Sequence, residues 1–272
     1  MSAYSIELKA AIQAASLASE LILKAYEVRE ADPKALASIT TQTDLASQEV
    51  ILGYLMGEFP HDAFAAEEDT RSIHEARRQG DRLWVIDPID GTRGFAKKNG
   101  EFSVMIGFCH KGRVVAGVVS EPALGRHTYA QLGQGCWTQS GNGTETRCLA
   151  KDTASISKAI FARSHTQNPT EPGALAGRLG VSHFLESYSA GVKLAQVARG
   201  EVDIYLNDYP TYRDWDLCAG VILVTEAGGF ATDSLGNPLA FGDLGNLQDK
   251  GLVSSGPGIH AEIIRKLGQP KA

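Results

Sequence analysis

The stretch LWVIDPIDGTRGF, Leu83 to Phe95, decides how this chain is read. Leu83–Ile89 is rich in β-formers and reads as a buried strand. It runs straight into Asp87 and Asp90, which flank Pro88 and Ile89, and Gly91 and Thr92 follow at once. Two carboxylates delivered to one turn repel each other, so either one takes a proton or a cation sits between them. Pro88 stiffens the turn, Gly91 lets a ligand approach the backbone, and the N–H groups after it can face an anion. Thr92 adds a hydroxyl. Together these residue types suit a divalent cation that holds a phosphate. The donors are oxygens, and no paired Cys or His stands at zinc spacing, so Mg2+ is the favoured ion. A turn or helix cap at a strand end, with no metal, uses the same residues, and the motif alone leaves both readings open.

The rest of the chain narrows the choice. Its 272 residues are 43% hydrophobic and 21% charged, the profile of an ordinary globular protein able to bury a substantial core. A net charge of −6 argues against a nucleic-acid polymer as partner, because that needs a basic face. A small anion is still admissible where Lys and Arg cluster locally. Cys109, Cys136, Cys148 and Cys218 are scattered, form no C-x-x-C pair and read as plain thiols of a reducing compartment. The start, MSAYSIELKAA, lacks the apolar core of a secretory signal, and no run approaches the roughly 18 apolar residues of a membrane span. The expectation is a cytoplasmic protein.

Ser5–Val28 has Ala and Leu at helical spacing and predicts a long amphipathic helix with Ser5 near its N-cap. ADPKALASITTQTD breaks the pattern, and a second helix is expected over Leu45–Glu58, capped by Thr43 or Asp44. Strands are expected at Leu83–Ile89, Ser103–Cys109, Arg113–Ser120, His127–Gln131 and Gly135–Thr138, as an antiparallel meander. After residue 150 short strands alternate with helices, the latter at Pro172–Leu179, Val192–Arg199, Asp216–Ala227 and His260–Leu267. The expected class is α+β in the first half (1–150, carrying DPIDGT) and α/β in the second (151–272, carrying WD…EAGG), packed as one unit.

Four segments in order resemble the inositol monophosphatase superfamily of lithium-sensitive, Mg2+-dependent phosphatases. They are DPIDGTRGF, DWDLCAGVILVTEAGG (Asp214–Gly229), FPHDAFAAEED (Phe59–Asp69) and Thr41-x-Thr43-Asp44. The first two are long and specific. Ala66 departs from the glycine usual before Glu-Glu. The resemblance implies a layered α-β-α-β-α sandwich of the inositol monophosphatase and fructose-bisphosphatase type, and two or three Mg2+ ions. It implies Glu67, Asp87, Asp90, Asp216 and the Ile89 carbonyl as metal ligands. Glu67 and Thr92 would orient the attacking water, with Asp44 assisting through a water or a weaker metal. The Gly91 and Thr92 N–H groups would hold phosphate.

Within that superfamily, KKNGEF (Lys97–Phe102), ARSH (Ala162–His165) and SAGVK (Ser189–Lys193) resemble the bisphosphate nucleotidases. A bisphosphate carries a second anion, which Arg163, His165 and Lys193 are expected to receive, helped by the helix N-terminus near Gly191. The implied substrate is a small phosphate ester, first adenosine 3′,5′-bisphosphate, giving AMP and phosphate. The alternatives are an inositol-1-monophosphatase, a histidinol-phosphatase, or a non-catalytic relative that binds nucleotide or metal. The superfamily holds monomers and dimers, so a homodimer stays open.

Overall fold

A seven-stranded sheet follows chain order: β1 (Ala63–Ala66), β2 (Arg82–Asp90), β3 (Ser103–His110), β4 (Arg113–Glu121), β5 (Arg126–Gln131), β6 (Gly135–Ser140) and β7 (Thr146–Cys148). The pairs from β2 to β7 are antiparallel, as the meander requires, while β1 adds a parallel edge strand that the sequence did not announce. A second sheet has β8 (Ile160–Arg163), β9 (His183–Glu186), β10 (Ile204–Asn207), β12 (Phe230–Thr232) and β14 (Leu252–Ser255), in the order β12-β14-β10-β8-β9. A two-stranded pair joins β11 (Tyr212–Arg213) to β13 (Leu247–Gln248). The computed structural model describes residues 3–32, 34, 41–165, 173–208, 211–242 and 247–268.

The helices are α1 (Ser5–Val28), α2 (Gln42–Glu58), α3 (Arg71–Glu75), α4 (Thr92–Lys97), α5 (Gly173–Leu179), α6 (Ala190–Ala198), α7 (Asp214–Glu226) and α8 (Pro257–Leu267). Pro172, expected to open the fifth, lies outside the described residues, as do Pro33 and residues 35–40 of the break between the first two helices. Two expected caps move. Tyr4, at φ 67° and without a side-chain hydrogen bond, precedes α1 in place of Ser5. At α2 the cap is Thr41, whose hydroxyl accepts from Thr43 N while Asp44 reaches back to Thr41 N, a reciprocal capping box.

Alternation along the strands builds the layers. On β2, Trp84 and Ile86 face α1 and α2, where they meet Phe108, Ala14, Ala18, Leu52 and Leu55. Leu83 and Val85 face the other way, toward Met105 and the α6–α7 pair through Leu194, Leu217 and Ile222. Tyr205 on β10 packs into that same central core, while its neighbours Ile204 and Leu206 face α5 and α8 with Leu179, Ile259 and Ile263. The result is the expected α-β-α-β-α sandwich.

Helix α7 lies unusually close to the first sheet. A Cβ on Gly107 would fall 2.5 Å from Cys218 Sγ, and one on Gly117 would fall 2.8 Å from Ile222 Cγ2 and 3.1 Å from Ala219 Cα. Those two glycines set the depth at which α7, and with it Asp216, is seated.

Candidate active site

Strand β2 carries the expected acidic pair, but it does not stop in a turn. The pairing with β3 runs from Asp87↔Met105 to Asp90↔Ser103, so β2 has one extra residue there. Pro88 has no N–H to give the ladder, and a bulge is the natural accommodation. The consequence is chemical. Residues three apart on a regular strand point to opposite faces, and the extra residue turns Asp87 and Asp90 into one cleft.

Asp216 arrives from the first turn of α7, where Arg213 N donates to its Oδ2 at 2.6 Å. Asp87, Asp90 and Asp216 then each offer an oxygen, all within 4.8 Å of one another. Glu67 follows β1, its N–H donating to Ile86 O at 3.3 Å, and its carboxyl is hydrogen-bonded to that of Asp87. Glu67 is exposed as a residue, while its carboxyl end is crowded by the cleft. Ala66 closes β1 opposite Ile86 as an ordinary buried strand residue, so the departure from glycine leaves Glu67 in place.

The cleft raises its own carboxyl groups. Desolvation first, then repulsion from Asp216, Glu68 and Asp90, pushes Glu67 up to about 8. Burial, with repulsion from Asp90 added, pushes Asp216 up to about 7. Burial, then repulsion from Glu67, Asp90 and Asp216, lifts Asp87 far above the carboxylate range. Burial raises Asp90 as well, against the hydrogen bonds it accepts from Ser189 and Gly191. A cation reverses every one of these costs. Asp87 Oδ1 is buried and has no hydrogen-bond partner among the described residues, an acceptor placed for an ion. An all-oxygen donor set of this charge fits a hard divalent cation such as Mg2+.

Thr92 donates its hydroxyl either to Asp44 Oδ1 at 3.0 Å or to the Ile89 carbonyl at 2.9 Å. Thr92, Ile89 and Asp44 therefore meet as expected, next to the acidic cleft. Asp44 is fully buried on α2, and burial raises its carboxyl against the bonds from Thr41 and Thr92. Gly91 precedes α4 at φ 83°, and a Cβ there would fall 2.7 Å from Glu101 O, so only glycine lets the chain turn beneath the cleft.

The three expected anion contacts lie together on the neighbouring wall, each already engaged. Arg163 pairs with Glu186 at 2.9 Å and covers the Phe184 ring. His165 sits between Glu101 at 2.6 Å and Glu186 at 3.2 Å. Lys193 is 1% exposed and donates to Ser164 Oγ at 2.9 Å and Ser187 O at 3.1 Å. Burial lowers it to about 8, opposed by the charges of Asp90 and Glu101.

Several supporting residues escaped the sequence reading. Ser47 donates to Pro88 O at 3.0 Å, and Gln48 both donates to Glu68 O and accepts from Glu68 N, so one face of α2 clamps the β2 bulge and the Glu67 loop. Asp44, Ser47 and Gln48 stand at i, i+3 and i+4, a buried polar stripe that helical spacing could have revealed. Glu101 also accepts from Tyr188 N at 3.1 Å, which makes it the anchor of the loop before α6.

The inositol monophosphatase family matches residues 5–271. An Arabidopsis thaliana protein named probable 3′(2′),5′-bisphosphate nucleotidase 4 is 30% identical over 77% of this chain, which spans 66% of that relative's length. A Thermotoga maritima protein named fructose-1,6-bisphosphatase/inositol-1-monophosphatase is 31% identical over 85% of this chain and 83% of its own. The solved inositol monophosphatase of Anabaena (Nostoc) sp. PCC 7120 superposes with a TM-score of 0.77 at 26% identity, covering 98% of this chain and 96% of that one. With the acidic cleft, the Thr92–Asp44 pair and the layered sandwich all in place, the chain belongs to the inositol monophosphatase family, a family of phosphatases.

Proposed function

We propose that this chain is a Mg2+-dependent 3′(2′),5′-bisphosphate nucleotidase that converts adenosine 3′,5′-bisphosphate to AMP and phosphate. The observation that carries the hydrolytic part is the joining of two sets of groups. Asp87, Asp90 and Asp216 share one cleft, and the Thr92–Asp44 pair stands beside it. Bound Mg2+ would supply Lewis acidity toward the phosphoryl oxygens and toward water. The ligands would be Glu67, Asp87, Asp90, Asp216 and Ile89 O.

The chain's own groups handle the proton. With its hydroxyl turned to Asp44, Thr92 keeps a lone pair free to accept a proton from an attacking water, and passes its own proton to Asp44. Burial raises the proton affinity of Asp44, which suits the end of such a relay. The N–H groups of Gly91 and Thr92 open α4 without intrahelical acceptors and can receive phosphate oxygens. The water then attacks phosphorus in line and the alkoxide leaves, taking a proton from solvent while Asp44 returns its own, with no phosphorylated side chain.

The nucleotide part is supported by the gathering of Arg163, His165 and Lys193 on one wall, with Lys193 near Asp90, and by the name of the Arabidopsis relative. The second reading, an inositol or sugar phosphatase, is supported by the name of the Thermotoga relative. A phosphate-release panel of adenosine 3′,5′-bisphosphate, inositol 1-phosphate, histidinol phosphate and fructose 1,6-bisphosphate, with and without Mg2+ and Li+, separates them. A kcat/KM for a monophosphate about tenfold above that for the nucleotide, near 1.4 kcal/mol, would displace the nucleotidase reading.

A further inference from the structure

Helix α4 carries two cations that the hydrolytic scheme does not use. Arg93 follows Thr92 directly, and its guanidinium carbon lies 5.2 Å from the centroid of the Tyr188 ring. Lys97, one turn further on, brings Nζ to 5.9 Å from the same centroid. The His165 ring packs on Tyr188 at 4.3 Å between centroids, with the planes inclined by 32°. Tyr188 N and His165 Nε2 both reach Glu101 Oε2, at 3.1 and 2.6 Å, so ring and backbone are fixed together.

The charges of this wall are unequally matched. Arg163 and His165 meet the carboxylates of Glu186 and Glu101. Among the described residues Arg93 has no ion pair, and its Nε is buried without an acceptor. A guanidinium N–H shut away from water and unpaired costs free energy. The Tyr188 ring face offsets part of that cost. An anion brought by a ligand would remove the rest, and the planar fork of arginine matches a phosphate group. The location fits such a ligand. Arg93 is next in sequence to Thr92, which bonds Asp44, and Tyr188 is next to Ser189, which bonds Asp90. Both halves of the platform therefore stand at the rim of the acidic cleft.

We propose that Arg93, held against Tyr188, is a specificity-determining residue that binds the second anionic group of a bisphosphate ester, the phosphate that is not hydrolysed. This rests on the phosphatase reading above, and it assigns direct contact to Arg93, because Arg163 and His165 are already paired with Glu186 and Glu101.

The test compares wild type with Arg93→Met, Arg93→Lys and Tyr188→Ala, all with Mg2+ present. Each is assayed on adenosine 3′,5′-bisphosphate against adenosine 3′-monophosphate, and on fructose 1,6-bisphosphate against fructose 1-phosphate. The readout is the ratio of kcat/KM, bisphosphate over monophosphate, with thermal melting to confirm folding. Arg93→Met should shrink the wild-type ratio roughly tenfold or more, chiefly through KM. Arg93→Lys should keep an intermediate ratio, and Tyr188→Ala should lose part of it. Equal losses on both members of a pair would leave the ratio unchanged and overturn the proposal, as would a ratio that survives in Arg93→Met. A wild type that prefers neither bisphosphate overturns this inference and the nucleotidase reading together. A wild-type preference for the fructose ester that Arg93→Met abolishes overturns the nucleotidase reading alone.

Discussion

Gly191 donates its backbone N–H to Asp90 Oδ2 at 2.7 Å, so the first turn of α6 grips a side chain from strand β2. The hydroxyls of Ser189 and Ser103 converge on the same oxygen, the latter at 3.3 Å. With Oδ2 committed to three donors, Oδ1 is the oxygen that Asp90 can present to a cation. Helix α6 thus orients a candidate metal ligand that it does not itself contain.

Ser189→Ala removes one of those donors and also the cap that accepts from Val192 N at 2.9 Å. Supporting hydrogen bonds of this kind typically change metal affinity by about 10- to 100-fold. The expected outcome is a weaker apparent Mg2+ affinity in that range, with turnover largely restored at saturating Mg2+, and a stability loss of about 1 kcal/mol from the lost cap. Titrating activity against Mg2+ checks it. An unchanged Mg2+ midpoint would mean that Asp90 is held without Ser189.

Asp90→Asn should abolish most turnover while leaving a folded protein. The amide keeps the shape of the carboxylate, but it withdraws a negative ligand from the cleft. A loss on the order of a thousandfold in kcat is expected, with far-UV dichroism unchanged. Wild-type turnover at saturating Mg2+ would remove Asp90 from the site.

The stability of the metal-free protein should fall as pH rises, and Mg2+ should offset that fall. Folded, metal-free protein holds protons on Glu67 up to about 8 and on Asp216 up to about 7, whereas an unfolded chain releases them near pH 4. The folded state therefore binds more protons across that window, and its stability falls as pH rises from about 4 to 8. Mg2+ binds the deprotonated groups, so its stabilising effect should grow over the same range and its binding should release protons near pH 6 to 7. Calorimetry at pH 5.5 and 8, with and without Mg2+, and in buffers of different ionisation enthalpy, measures both. A Mg2+-induced shift in Tm that is equal at the two pH values would contradict the assignment.

How much of this was legible in the sequence depended on whether the cause was local. The meander was readable because β3 and β4 are runs of β-formers set off by short turns such as His110-Lys111-Gly112, and α1 because alanine and leucine recur at helical spacing. The acidic residues that share the cleft could be named through the resemblance, since DPIDGT and WD carry them in short, ordered motifs. The bulge at Pro88 was not, because it depends on Ser103 and Met105 being the partners across the ladder. Strand β1 has only four residues, Ala63–Ala66, too few to show a period. The engagement of His165 and Arg163 by Glu101 and Glu186 joins residues far apart in the chain, and no spacing rule reaches that far.

Thr92 and Asp44 should behave as one unit. Thr92→Ala and Asp44→Asn each break the proposed proton relay, so each alone should lower kcat by roughly a hundredfold or more, with little change in KM. The double variant should be scarcely worse than either single one, because groups acting together are not additive. Thr92→Ser keeps the hydroxyl and should recover much of the rate. Additive losses in the double variant would show two independent roles.

Gly117→Val tests whether the seat of α7 governs the site at a distance. The new side chain would press on Ile222 Cγ2 and on the backbone at Ala219, neither of which can move without the helix. Overpacking of a fitted core costs about 1 to 3 kcal/mol, which for a protein of this size lowers Tm by several degrees. The more telling effect is on Asp216, fixed to the first turn of the same helix by Arg213 N. Displacing α7 withdraws that carboxylate from Asp87 and Asp90, so the Mg2+ midpoint should rise along with the fall in Tm. Exposed Gly125, whose added Cβ would meet nothing within 4 Å, is the matched control for a general effect of replacing glycine. Because its φ of 56° penalises any side chain, Gly125→Ala should cost stability without moving the Mg2+ midpoint. A Gly117→Val protein that melts early yet keeps the wild-type midpoint would separate the packing of α7 from the placement of Asp216.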